Sequence, residues 1–257
     1  MDTFVVIRDY KPGDENMCYE IVKEGTMSTV NTAFINGLTR EITFQSMVLS
    51  SALLFIFFGL PFGFCLASIP GVVVFMYFCI YSGHKFKALQ ITQDMYNIPR
   101  VYMSSKYTGF WVAEAFEPAA NFKSGLVKCT ILSEKDFNSK NIDTALYFKK
   151  IVGTVAITRS KNSEDYAWLR RMAVSSSYQR LGIAAALLKE ALDFCQDKYV
   201  GVELVTTECH DVARDFYFKK GFELRNMFHK RLVGNIITVL IYELVYKFKT
   251  NKIHVSP

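Results

Sequence analysis

One long stretch of this 257-residue chain lacks charge altogether: from Ile42 to Gly83 there is no Asp, Glu, Lys or Arg. Cysteine is sparse and scattered. The six (Cys18, Cys65, Cys79, Cys129, Cys195, Cys209) form no CxxC pair and no metal-ligand spacing. That excludes a disulfide scaffold or zinc module and suits a reducing compartment. No cysteine has a histidine at a spacing that suggests nucleophilic catalysis. The start, MDTFVVIRDYKPGDENM, has neither the basic beginning nor the long apolar run of a signal peptide, so the chain is expected to begin on the cytosolic side. A basic stripe interleaved with exposed aromatics is also missing, which argues against nucleic-acid binding despite a formal charge of +6. So mild a surplus suits anionic lipid or a phosphate-bearing ligand. There is no internal repeat.

What is abundant is apolar and aromatic. The composition is 51% hydrophobic with 22 Phe and 14 Tyr, and the excess is concentrated in residues 44–81. Within ALLFIFFGLPFGFCLASIPGVVVFMYFCIY (52–81), Pro61 and Pro70, with Gly59, Gly63 and Gly71, are expected to break any helix near its middle. The apolar arms left on either side fall short of the about 20 residues a bilayer crossing needs. A helical hairpin that enters a lipid membrane and returns is therefore predicted. Its flanks carry Arg40, Lys85 and Lys87, as cytosolic ends should.

The rest reads as one α+β domain around a mixed central sheet. FVVIR (4–8) predicts a strand, and the segment after PGDE a helix with Met17, Ile21 and Val22 on one face. Residues 84–103 read as an amphipathic segment and GFWVAEAF (109–116) as a strand. The polar residues 117–150 show no periodicity and are expected to be an irregular loop. Strands follow at 151–158, 166–174, 201–207 and 235–248. Between them lie a helix over 182–198, apolar at 183, 187, 188, 191, 192 and 195, and a second helix ending at Gly221. The organisation expected is an N-terminal strand and helix (1–41), a membrane hairpin (42–84) and a main domain (85–257).

Chemistry is suggested first by MAVSSSYQRLGIAAALL (172–188). A strand runs into Gln179-Arg180-Leu181-Gly182-Ile183-Ala184, and a helix begins there. Gly182 and Ala184 leave the backbone uncrowded, so successive N–H groups can face an anion at the positive helix end. Taken alone, this is equally the pattern of a tight turn before a helix. A further pattern, AxxFYxxxGF, follows at Ala213, Phe216, Tyr217, Gly221 and Phe222.

Together with QxxGxA at this spacing, the chain resembles the GNAT-fold N-acetyltransferases over roughly residues 150–225. GFWVAE, DMYNI followed by YM, the apolar insert and LRRMAV narrow the resemblance to their membrane-bound, camello-like branch. That branch contains aspartate N-acetyltransferase (N-acetylaspartate synthetase) and cysteine-S-conjugate N-acetyltransferase. NTAF (31–34), Arg171 in RMAV and the pair Thr206-Thr207 are more similar to the aspartate enzyme.

The resemblance implies acetyl-CoA as cosubstrate. Its pyrophosphate would lie on the turn around Gln179, Arg180, Leu181, Gly182, Ile183 and Ala184, and its pantetheine along Met172, Ala173 and Val174. An amine acceptor would attack the thioester directly while a backbone N–H near Val174 polarises the carbonyl. Tyr217 is the expected acid for the departing thiolate. For the base, Glu203, His210, Glu208 and Glu114 stay open, with Glu203 and His210 foremost. Arg171 suits an acceptor carboxylate through bidentate pairing. Strand alternation would put Arg170 on the opposite face.

The expected activity is acetyl transfer to a small amino acid, L-aspartate first. An S-substituted cysteine or a protein lysine is the alternative, and a non-catalytic CoA-binding scaffold the competing class. If the first strand and the residues after 109 share one domain, the apolar insert must return to the side it left. The implied setting is the endoplasmic reticulum membrane, with the active site in the cytosol.

Overall fold

The near-continuous apolar runs FVVIR, GFWVAEAF and IVGTVAIT, buried on both faces, build the centre of an eight-stranded sheet in the order β3-β1-β2-β4-β5-β6-β8-β7. The computed structural model describes residues 3–118, 129–140, 144–231 and 238–248. The strands are β1 (Thr3–Asp9), β2 (Gly109–Pro118), β3 (Cys129–Ser133), β4 (Tyr147–Arg159), β5 (Tyr166–Val174), β6 (Gly201–Thr207), β7 (Glu223–Arg231) and β8 (Thr238–Lys247). Two neighbour pairs, β1·β3 and β5·β6, are parallel and the others antiparallel. The mixed sheet of an α+β domain is thus as expected.

The chain divides into two compact units, one made of residues 1–25 with 92–257 and the other of residues 26–91. In the first, helix α8 (Ile183–Gln196) buries Ile183, Leu187, Leu188, Ala191 and Cys195 on one face of the sheet. These meet Val5, Ile7, Trp111, Ala113, Val155, Ala167, Leu169, Val202 and Leu204 in one core, joined by Tyr217 and Phe222 from around α9 (Asp211–Lys219). This is the face read from the 3.6-residue spacing in the sequence. The opposite face carries α6 (Ile98–Tyr102), whose Tyr102 packs on Phe110, and the short 3-10 turn Gln93–Asn97 before it. Helix α1 (Glu15–Met27) begins after a buried ion cluster in which Arg8 donates to Asp14 (2.7 Å) and Glu114 (2.8 Å).

In this first unit two sequence expectations need correction. The stretch 117–150 is not uniformly irregular: Cys129–Ser133 adds to β1 as parallel strand β3, and α7 (Glu134–Ser139) follows, capped by the Ser133 hydroxyl. Its five residues are too few to show a period, although Leu132 packs with Phe4, Val6 and Phe116. Strand β7 was missed because ELRNMFHKR is exposed along its whole length and so shows no apolar alternation. Residues 235–237 of the expected last strand, 119–128 and 141–143 lie outside the described residues.

The second unit holds α2 (Val30–Leu38), α3 (Glu41–Phe58), α4 (Phe62–Leu66) and most of α5 (Ser68–Thr92). Gly59 ends α3 at φ 60°, a left-handed position where a Cβ would be strained, and Pro61 follows. Pro70, however, does not break α5. It sits in the helix's first turn, where its missing N–H has no intrahelical acceptor to lose. The arms are consequently longer than expected. At 1.5 Å per residue the 18 residues of α3 reach about 27 Å and the 25 of α5 about 37 Å. Within the unit, α3 and α5 meet through Thr43 Oγ1 at Met76 Sδ (3.7 Å) and through the Ser50 and Ser68 hydroxyls (3.3 Å). Large apolar side chains stand outward: Ile56, Phe57, Phe58, Phe75 and Phe78 are all exposed. By length and composition both helices can cross a membrane.

Candidate active site

Strands β5 and β6 pair side by side only at Tyr166–Gly201, Ala167–Val202 and Trp168–Glu203. Beyond Trp168 no further pair joins them, so the facing edges of Leu169–Val174 and Leu204–Thr207 part into a wedge. On the other edge of β5 the pairing slips. Ala156 pairs with Arg170 and Thr154 with Ala173, so Val155 stands opposite both Arg171 and Met172. That is a β-bulge with Arg171 at φ 52°. A non-glycine residue there costs about 1–2 kcal/mol.

The bulge resets which side chains face which layer. Without it, alternation from Ala167 and Leu169 would drive the Arg171 guanidinium into the apolar core. With it, Met172 and Val174 pack against the core while Arg171 stays on the opposite face beside Arg170. Both arginines reach Asp94. Arg171 forks onto it (Nε–Oδ1 3.2 Å, Nη2–Oδ2 2.6 Å), and Arg170 Nη2 approaches Oδ2 at 3.5 Å. The expectation that Arg170 points away is therefore wrong, because an extra residue in a strand breaks the two-residue period on which it rested. Tyr102 Oη donates to the same carboxylate at 2.5 Å. One carboxylate thus serves two guanidinium groups.

At the wedge's other side, Tyr217 projects from α9 with its Oη donating to Met172 Sδ at 3.3 Å. Its ring packs between Phe216 and Phe222. Burial raises its pKa well above that of an ordinary phenol, so it holds its proton at neutral pH. A neutral, buried hydroxyl beside the β5 backbone can serve as a proton donor.

Past Val174, Ser175 N–H bonds the Val152 carbonyl (2.8 Å) and a short 3-10 turn spans Ser176–Tyr178. Glu24 at the end of α1 accepts from Ser176 N–H (3.0 Å) and Ser175 Oγ (3.2 Å). The hydrogen bond from Ser176, first, holds the Glu24 carboxyl below the usual carboxylate range. Gln179 Nε2 donates back to the Val174 carbonyl at 3.2 Å. Arg180 (φ 63°) and Gly182 (φ 86°) are both left-handed, and α8 starts at Ile183. The two left-handed residues turn the chain directly into the positive end of α8, where backbone N–H groups can face an anion. A Cβ on Gly182 would meet nothing closer than Ile131 Cδ1 at 3.5 Å, so this turn is open. Gln179, Arg180 and Gly182 are exposed, Leu181 and Ala184 half-buried and Ile183 buried. Such a turn suits an anionic group, and Met172–Val174 lie on the edge of β5 that β6 leaves unpaired.

The two acid–base residues put foremost are placed differently from one another. Glu203, between the core residues Val202 and Leu204, points to the other face of the sheet. It is buried, accepting from Ser160 Oγ and from Arg225 Nη1 at 2.8 Å. Its oxygens are occupied structurally, and the role of base does not suit it. Glu114 is likewise tied to Arg8. His210 stands at the start of α9, with Nδ1 at 2.8 Å from Thr207 Oγ1. Asp94, Thr154 and Glu24 escaped attention in the sequence. Asp94 lies in DMYNI, but nothing local links it to Arg171, 77 positions on.

Comparison with known proteins agrees with this geometry. Residues 98–222 match the acetyltransferase (GNAT) family model. The chain is 25% identical over 244 residues to N-acetyltransferase family 8 member 3 of Rattus norvegicus, covering 90% of this chain and 89% of the relative. It is 25% identical over 221 residues to probable N-acetyltransferase camello of Xenopus tropicalis (85% and 86%). To N-acetylaspartate synthetase of the same organism it is 23% identical over 253 residues (96% and 80%).

Proposed function

We propose that this chain is a GNAT acetyltransferase that carries out N-acetylation with acetyl-CoA, and that it takes as acceptor the amino group of a small acidic amino acid, L-aspartate first, at a membrane surface. Acetyl-CoA supplies an acetyl thioester open to attack by an amine. Gln179 to Ala184 hold its pyrophosphate through backbone N–H groups and the α8 dipole, and Met172 to Val174 line its pantetheine. The Val174 N–H faces the charge that develops on the thioester oxygen. Tyr217 returns a proton to the departing sulfur. His210, anchored on Thr207 at the head of the same helix, accepts the proton of the attacking ammonium.

The observation that carries the acceptor assignment is the sharing of Asp94 by Arg170 and Arg171. Two cations on one anion leave a positive excess on the face of β5 away from the core. Guanidinium forks match carboxylates, so that face suits an acceptor carrying acid groups. The two apolar helices of residues 41–92 support a membrane anchor; on this reading its ends return to one side and the domain faces the cytosol at the endoplasmic reticulum.

The test is acetyl transfer by the full-length protein in membranes, with labelled acetyl-CoA and a panel of amines. Aspartate is expected to be acetylated and neutral amino acids poorly. Arg171→Met should raise the KM for aspartate about 10- to 100-fold, the weight of a bidentate charged pair. Transfer to S-benzylcysteine or to protein lysine in place of aspartate overturns the acceptor. CoA binding with no transfer to any amine overturns the enzyme reading for a binding scaffold.

A further inference from the structure

The strain at Arg171 is held from two directions, and neither restraining side chain was given a step in the acetyl transfer above. Thr154, fully buried on β4, donates its hydroxyl to the Arg171 carbonyl at 2.8 Å. Asp94 grips the side chain of the same residue by a two-point fork. Asp94 is itself fixed by Tyr102, whose ring is fully buried. A residue in an unfavourable backbone conformation persists only where its surroundings over-determine it. Here one restraint acts on the backbone of the bulged residue and the other on its guanidinium.

The bulge decides the direction of every backbone N–H from Met172 to Val174. Relaxing Arg171 to ordinary extended geometry would slip β5 by one residue and turn those groups away. We infer that Asp94 and Thr154 are positioning residues: together they clamp Arg171 in the left-handed conformation and so hold the β5 edge aimed at the thioester. The inference rests on the reading of β5 as the thioester-binding strand. Asp94 acts through Arg171 and does not touch the reacting atoms.

The experiment uses the full-length protein in detergent and five variants: Asp94→Ala, Asp94→Asn, Thr154→Val, Thr154→Ser and the double variant Asp94→Ala with Arg171→Gly. The first readout is amide hydrogen exchange of the peptide 166–175 without CoA. The second is CoA-thiol release, resolved into kcat and the KM for acetyl-CoA. Asp94→Ala and Thr154→Val are expected to speed exchange at 171–174 at least tenfold. They should lower kcat at least tenfold with the KM for acetyl-CoA within threefold of wild type. Thr154→Ser, which keeps the hydroxyl, should recover most of the Thr154→Val loss, and Asp94→Asn should fall between wild type and Asp94→Ala. In the double variant slow exchange should return, since glycine adopts φ near +52° unaided.

Exchange and kcat within twofold of wild type in both Asp94→Ala and Thr154→Val overturn the clamp. So does fast exchange that glycine fails to reverse. If Asp94→Ala does not fold, Thr154→Val, which keeps the buried shape, decides alone. Failure of the wild type to acetylate any amine counts against the proposed function, while the exchange readout still decides the clamp.

Discussion

Replacing Tyr217 by Phe removes one oxygen from the wedge and leaves the ring in place between Phe216 and Phe222. In the structure that oxygen's partner is the Met172 sulfur at 3.3 Å, a weak acceptor. Its loss should shift stability by no more than about 1 kcal/mol. For a chain of this size that is a melting shift of about 2–4 °C. The effect on turnover should be far larger. General acid catalysis contributes about 10²–10⁴-fold, so kcat is expected to fall about 100-fold or more, equivalent to about 2.7 kcal/mol of barrier. The KM for acetyl-CoA should hold, since in the proposed mechanism the hydroxyl acts on the departing sulfur and not on the pyrophosphate. The assay is continuous detection of released CoA thiol at saturating acceptor, paired with a melting curve. The wild-type pH profile gives a second check. Burial raises the Tyr217 pKa, so the protonated donor survives through the pH at which a free phenol ionises, and the plateau should extend past pH 10. A variant kcat within threefold of wild type, with an alkaline limb at or below about 10, would refute the acid role.

Three further outcomes are expected. Glu203→Ala should lower stability by about 1–3 kcal/mol by stranding Ser160 and the half-exposed Arg225, while kcat per folded molecule changes less than threefold; a much larger kcat loss would restore Glu203 to the chemistry. Glu24→Gln should destabilise the protein at neutral pH and leave it unaffected in acid. The folded carboxyl is depressed, so its contribution is present above the ordinary carboxylate range and lost as pH falls through the folded value; equal melting of variant and wild type at pH 7 would count against it. A glycosylation acceptor inserted beside Leu60 should be modified in microsomes, because the 18 residues of α3 and the 25 of α5 both fall within the about 17–25 residues with which helices span a bilayer. An unmodified tag would favour a hairpin that dips and returns.

Much of the fold was legible because periodicity reports which face a residue buries. Helix α8 could be placed from its apolar spacing, and β1, β2, β4, β5 and β6 from short apolar runs bounded by turns. The turn before α8 was legible for a related reason: Gly182 at a strand-to-helix junction is local chemistry on consecutive residues. Elements without a period escaped, as β3 and β7 did. The apolar arms were misjudged because a proline's effect depends on where the helix starts, and Pro70 falls within the first turn of α5.

By itself, then, the sequence determined the α+β class, the tight turn at 179–184 that leads into α8, Tyr217 as a candidate donor and an apolar insert of membrane grade. These are properties of neighbouring residues and need no knowledge of what lies across the sheet. Only tertiary structure decided which carboxylates are at liberty and which are spent. Glu203 is occupied by Ser160 and Arg225, and Glu114 by Arg8. It also brought Asp94 and Thr154 onto Arg171 from 77 and 17 positions away. A bulge adds one residue to one strand, and its consequence, both arginines on one face, depends on pairing with a partner strand that no local pattern encodes.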